Sequence, residues 1–590
     1  MRKVIARWPA IGLALTACAL AFAVPGALGA AGDREVSVGS PSTPFSQNKQ
    51  NEPAMAVDAN HPNVLAAGAN DNIDLEACNA GDPTTCPFTA GVGVSGIYFS
   101  FDNGVHWTQP TYTGWTARHC LGPAACEPHF GPIGTLPWYF ENGLVSDGDP
   151  ALAFGPRRGA NGTFSWANGS RLYYANLTSN FGATKKDETF KGFEAIYVSR
   201  TDDPQSAAAG NKAAWLQPVR VSKQSSATFA DKEQIWADNA ASSPFFGNVY
   251  VCWQNFVGGG AAPLVVATSR NGGDTWTETK VTAAHNVSAR HFGQSGCTVR
   301  TDSSGVVYVF YEEFQNALKV GVPPSGTHFL VKSFDGGQTW TKPMALYRIV
   351  DPCFNLSNDG SILRCVEDGI AGARNDLSAS PSVDIANGAP TGADATNEIV
   401  NAWADGRDGL NHEHVMFASS NSPNPATRGN PGTWTAPRSI ETAGDRGYYA
   451  APAISPNGST VYVVYNAFTN PYRNDTTSPR GLVGVVEQAS VGGGGTVGAF
   501  TPVHRGAQGD PRGSSQNNLV LEFLGDYVYA VATRAYGAAV WNDVREAADC
   551  PAIDAFRYSF QTGGSVPRPA PGTQCPPTFG NSDIWGWTSG

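Results

Sequence analysis

The sequence predicts an all-β chain, a single β-propeller of four-stranded antiparallel blades, with seven blades favoured and six as the alternative. Three observations predict it. A turn motif recurs at Ser100, Ser269 and Ser333 as SFDNGVHW, SRNGGDTW and SFDGGQTW, each after a short apolar run. A pair of alternating apolar segments recurs seven times. Segments of helical period are nearly absent, whereas 67 Gly and 41 Pro suit short strands joined by tight turns.

Taken in order, residues 1–30 read as a secretion signal. Arg2, Lys3 and Arg7 precede an apolar run, and small residues close it at Ala27-Leu28-Gly29-Ala30. Residues 31–560 form the propeller and 561–590 a Pro/Gly-rich tail. The strand pairs are EPAMAVD with NVLAAGA, DPALAFG with RLYYANL, KEQIWAD with GNVYVCW, and GQSGCTVRTD with GVVYVFY. They continue as SPSVDIA with EIVNAW, APAISPN with TVYVVY, and NLVLEFLG with YVYAVAT. Each pair followed by a third apolar strand makes a blade. The segment DAFRYSF, 554–560, is expected to close the ring against the N-terminal segment and hide its edges.

The recurring turn supplies an Asp that bonds amides beyond it, a Gly for positive φ, and a Trp that plugs the hairpin onto its neighbour. It resembles the Asp-box repeat of sialidases and related propellers. Ser333, Asp335, Gly337, Thr339 and Trp340 match fully, while His106 and Asn271 replace single positions in the other copies. The resemblance implies a glycan-cleaving or glycan-binding propeller, with Asp102 and Asp335 structural and on the face away from the site. Sialidases have six blades, a carboxylate-binding arginine triad and a Tyr–Glu nucleophile. Their first-blade Arg-Ile-Pro corresponds here to Asn51-Glu52-Pro53, so specificity for sialic acid is not carried over.

Removing Arg2, Lys3 and Arg7 leaves 36 Lys+Arg against 50 Asp+Glu, a net charge of −14. With no basic run, nucleic acid and anionic membranes are excluded as partners. No stretch beyond the leader is apolar enough to span a bilayer. Ten cysteines outside the leader suggest disulfides: Cys78–Cys86, Cys120–Cys126, Cys353–Cys365 and Cys550–Cys575 by closeness, leaving Cys252 and Cys297. No cofactor and no metal is expected. Asp71-Asn72-Ile73-Asp74 with Glu76 offers oxygens but lacks a Gly-spaced calcium loop. The expected partner of this secreted, monomeric chain is an extracellular glycan.

Second-strand ends and first-strand starts open on one face, opposite the turn motifs. Carboxylates recur there at Glu313, Asp405 and Asp543, the last two within Trp403-x-Asp405-x-Arg407 and Trp541-x-Asp543-x-Arg545. Converging carboxylates suit glycoside cleavage, one protonating the leaving oxygen and another attacking the sugar or activating water. These three are the expected catalytic residues. The structural alternative is that each Asp pairs with its own Arg. Substrate-binding candidates are Arg407, Arg545, Arg290, Arg374, Arg446 and Tyr448, with Trp115 and Trp138 of the 112–146 insertion as stacking platforms. Gly525-Asp526-Tyr527 reads as a turn on the opposite face. The expected activity is a glycosidase; the alternatives are a non-catalytic glycan- or protein-binding propeller and a polysaccharide lyase.

Overall fold

The computed structural model describes residues 32–79, 86, 88–182, 186–257, 262–283, 292–314, 321–420 and 430–590; the expected leader and Arg290 lie outside them. Seven antiparallel sheets follow one another along the chain. Blade one is Gln50–Val57, Leu65–Asp71 and Ser95–Ser100. Blade two is Leu144–Arg158, Phe164–Asn180, Ala195–Thr201 and Trp215–Arg220. Blades three and four begin with Thr228–Ala237 and Val249–Val257, and with Phe292–Thr301 and Val307–Phe314. Blades five and six begin with Ser382–Ile385 and Ile399–Asp405, and with Arg446–Ile454 and Thr460–Phe468. The first strand of every blade packs against the first strand of the next, and blade seven against blade one, so the ring is complete.

The apolar core lies between blades rather than in one centre. Alternation sends one set of side chains of each strand toward each neighbouring sheet. Ala153, Val198, Ile235 and Trp253 thus meet between blades two and three, and Val464, Val486, Ala539 and Trp541 between six and seven.

The three turn motifs share one internal scheme. Ser100, Ser269 and Ser333 donate to Asp102, Asn271 and Asp335 at 2.8–2.9 Å and accept from the amides of Gly104, Gly273 and Gly337. These glycines sit at φ 87°, 85° and 83°, where a Cβ would be strained. Asn271 makes the same amide-accepting bond as the aspartates, which explains why the substitution is tolerated. Each turn follows a third strand and lies on the lower face.

Ring closure differs from the sequence expectation. Residues 554–560 belong to a helix, Pro551–Thr562, that starts with Pro at its first turn and ends at Gly563 with φ 75°. Its Arg557 is fully buried and donates to the carbonyls of Arg512, Ser514 and Leu519. Closure instead comes from Asp583–Thr588, within the stretch read as tail. It pairs with Gly537–Asp543, and Arg34–Glu35 adds outside it. The first strand of blade seven is Tyr529–Ala532, so NLVLEFLG forms no strand and each expected strand there moves one place along. All five disulfides are formed, with Cys252–Cys297 joining blade three to blade four. Among the described residues, no helix is long and apolar enough to cross a membrane.

Candidate active site

In blades one to four the first strand carries the same β-bulge where it begins on the upper face. Two residues oppose one of the second strand: Glu52-Pro53, Asp149-Pro150, Lys232-Glu233 and Gly296-Cys297. The leading residue is left-handed in all four, with φ 56°, 51°, 59° and 61°. Only the fourth is glycine, so three charged residues are held in a conformation that costs about 1 kcal/mol or more each. A bulge re-aims side chains, and here it directs a ring of charge toward the channel mouth.

Lys232 stands at the centre. Its ammonium donates to Asp526 at 2.5 Å and to Asp149 at 3.3 Å, and lies 3.8 Å from Asp231. Asn70 donates to Glu52 and accepts from the Asp149 amide at 2.8 Å. Burial opposes the Lys232 charge, but Asp149, Asp231 and Asp526 raise its pKa well above the ordinary value. Burial likewise opposes the Asp526 charge, yet Lys232 and Arg374 outweigh it and hold Asp526 at about 2. Glu52 goes the other way: burial, then Asp149 and Asp526, push it well up.

Above this cluster opens a cavity of about 670 Å³. Asp147 and Glu194 line it from blade two, Asp231 from blade three and Glu312 from blade four. Burial lifts Asp147 to about 7; burial, with Lys232 opposing, leaves Asp231 at about 6. Burial, then Asp147 and Asp231, carries Glu194 to about 9. Phe229, Phe256 and Phe314 supply apolar wall, with Phe229 and Phe256 stacked at 5.3 Å. Further walls come from Asn72, Phe88 and Val94, from Phe523, and from a hairpin, Asn355–Asn358 with Leu363–Val366, stapled by Cys353–Cys365. A second recess of about 190 Å³ at the lower end of the channel is mainly apolar and holds no such carboxyl cluster.

The three expected catalytic carboxylates are not brought together, and none lines the cavity. Asp405 accepts from Trp403 Nε1 at 2.9 Å and from Arg407 Nε and Nη2 at 2.9 and 2.7 Å. Asp543 repeats this with Trp541 at 3.0 Å and Arg545 at 2.9 and 2.6 Å. The Trp-x-Asp-x-Arg pattern is therefore a clamp at the second-strand end, with both carboxylates and both arginines committed. Glu313 is displaced by alternation: adjacent strand residues face opposite ways, so Glu312 lines the cavity while Glu313 accepts from Gln294 at 3.3 Å.

The expected binding residues separate as well. Arg374 lines the cavity, bonded to Asp376 at 2.6 and 2.9 Å. Arg446 is buried elsewhere, against Glu413 at 2.8 Å and Asp368 at 2.9 Å. Tyr448 is fully buried and donates to the Arg374 carbonyl. Trp115 stacks on Phe140 at 4.4 Å, and Trp138 packs over Lys212, beside a small separate recess. Asp71 and Asp74 are buried anchors; Asp71 accepts from Tyr98 and Gln109, and Asp74 from Arg118 and Thr135. Asp526 is on the upper face, not the lower, because it precedes the first strand of blade seven.

Asp147, Asp149, Asp231 and Glu233 stand at first-strand starts that the sequence places on this face, whereas Lys232 goes unmarked there although the pattern carries a signal. Glu52-Pro53 and Asp149-Pro150 sit at equivalent places in EPAMAVD and DPALAFG, and Lys232-Glu233 opens KEQIWAD. A recurring charge ahead of a buried strand is anomalous for packing alone.

No protein-family model and no curated protein sequence matches the chain. Solved structures that resemble it include a Trypanosoma rangeli sialidase bound to the inhibitor DANA, with 11% identity and a TM-score of 0.36 over 76% of this chain. The match spans 55% of that sialidase chain, little more than half of its length. A thermostable family-43 glycoside hydrolase (12% identity, TM-score 0.29) is matched over 58% of this chain and 92% of its own. A family-93 α-L-arabinofuranosidase of Fusarium graminearum (11%, 0.28) is matched over 61% and 92%. These names describe those proteins, and no residue role is taken from them.

Proposed function

We propose that the protein is an exported hydrolase that cleaves a glycosidic bond in an extracellular glycan, with its chemistry in the upper cavity. The observation that carries this reading is the meeting of carboxyl groups with unequal environments on one cavity. Such pairs divide acid from base. Asp147, lifted by burial to about 7 and with one oxygen lacking a hydrogen-bond partner, is the proton donor to the leaving oxygen. Asp231, at about 6 beside the Lys232 ammonium and 16% exposed at its side chain, is the carboxylate that attacks the sugar or activates water. Lys232, itself fixed by Asp149 and Asp526, is the cation beside it. Export rests on the pattern of residues 1–30 and accords with five disulfides.

The test is a hydrolysis screen of the purified chain against aryl glycosides and natural glycans. Asp147→Asn and Asp231→Asn should each lower turnover by roughly 10²–10⁴-fold, the usual worth of a positioned acid or base. Silence across the panel, with retained binding to a glycan array, would make the cavity a recognition surface instead.

A further inference from the structure

Four acids of the cavity and its floor already have a protein cation. Asp149, Asp231 and Asp526 share Lys232, and Asp376 takes Arg364 and Arg374. Glu312 and Asp351 have none: among the described residues neither forms an ion pair. Both line the cavity and both are more than nine-tenths buried, at 0% and 5% exposure. Glu312 accepts from Ser380 at 2.7 Å through one oxygen, and its other oxygen has no partner; one oxygen of Asp351 is likewise unpartnered. Asp351 is close enough to act on Glu312: burial first, and the Asp351 carboxyl next, raise Glu312 well above the ordinary carboxylate range.

A buried unpaired carboxyl oxygen is costly and is usually explained by something that binds it. The wall next to this pair is aromatic. Alternation puts Phe314 on the same strand face as Glu312, and Phe256 on the same face as Gln254 in the neighbouring blade. Aromatic faces and paired carboxyls are the two surfaces that favour an organic ammonium. The basic side chains of the cavity are already engaged by the protein. Lys49 donates to Asn517, and Lys232, Arg364 and Arg374 are engaged as above, so each has a partner before substrate arrives.

We infer that the cavity selects a sugar bearing a free amino group, a hexosamine unit, whose ammonium is received between Glu312 and Asp351 against the Phe314 wall. This rests on the hydrolase reading for its site but not for its test. An N-acetylated or hydroxyl-bearing analogue would leave two buried carboxyls without a cation. A sialoside or uronide carries no ammonium to draw the proton from either carboxyl.

Titration calorimetry of the full chain with the glucosamine hexamer, its N-acetylated counterpart and cellohexaose decides the matter. The expected result is that the amine-bearing oligomer binds at least about tenfold more tightly than either. Glu312→Gln and Asp351→Asn should erase that preference, but the wild-type comparison stands even if a variant fails to fold. Equal binding of the three glycans, tighter binding of sialyllactose, or equal binding of hexalysine would overturn the inference. Amine-selective binding without cleavage would uphold it while removing the hydrolase reading. Cleavage of a neutral glycan with no amine preference would do the reverse.

Discussion

Asp147 and Asp231 are both aspartates on one cavity, and what separates them is the company each keeps. Asp231 has Lys232 beside it to offset burial, and Asp147 has no such cation among the described residues, which leaves them at about 6 and about 7. An acid that must be protonated and a base that must be ionised give a bell. Activity should rise as pH passes about 6 and fall as it passes about 7, as a kcat/KM profile on an aryl glycoside would show; a flat profile from 5 to 8 would remove both from those roles. Asp405 and Asp543 behave differently. Asp405→Asn leaves Arg407 without its carboxylate and should cost about 1–3 kcal/mol of stability in a denaturant melt, the scale of a lost charged hydrogen bond. Turnover per folded molecule should change far less than for Asp231→Asn. The recurrence of Trp-x-Asp-x-Arg was legible in the sequence, and of its two readings the structure bears out the one in which each Asp pairs with its own Arg. Which side of a strand end faces the channel is a matter of one residue in register, and periodicity alone does not mark it. The same one-residue ambiguity exchanged Glu313 for Glu312.

At the scale of the element, repetition made the propeller readable. The turn motifs and six of the seven strand pairs coincide with the blades, because short antiparallel strands betray themselves by alternation and turn chemistry. Blade seven broke the pattern. Leu519, Val520 and Leu521 are apolar and fully packed without being a strand, and they lie in the contact zone of the helix Pro551–Thr562. Burial alone therefore misled where the hydrophobic run served a helix. The Cys252–Cys297 bond, across a separation of 45 residues, staples two adjacent blades beside the bulges that carry Lys232 and Gly296. Replacing both cysteines by alanine should cost about 2–4 kcal/mol and lower the melting temperature without changing secondary-structure content by circular dichroism. An unchanged melt would mean that packing alone fixes that seam.

The whole molecule stores many carboxyls above their unfolded pKa, and this gives stability a direction with pH. Asp147, Asp351 and Glu194, lifted chiefly by burial to about 7, 8 and 9, bind protons more tightly folded than unfolded. Their contribution is present in full below the ordinary carboxylate range and is lost as pH climbs toward those values. Asp526, depressed to about 2, acts only at far lower pH. The melting temperature should therefore be higher at pH 5.5 than at pH 8.5, and Asp351→Asn should flatten the difference; a rise toward pH 8.5 would show that these carboxyls ionise without penalty. The clasp of blade seven adds something of another kind. Arg34–Glu35, ahead of the first blade, pair with Trp585–Gly586, in the third strand of the last. Glu52 donates its amide to Asn542 across that seam, and Asp526, ahead of the first strand of blade seven, accepts from Lys232. A chain cut before Asp583 would keep the first two strands of blade seven but lose the strand that carries the clasp. Ring integrity thus rests on two short segments far apart in the sequence, so clipping either one should loosen the seam between blades seven and one.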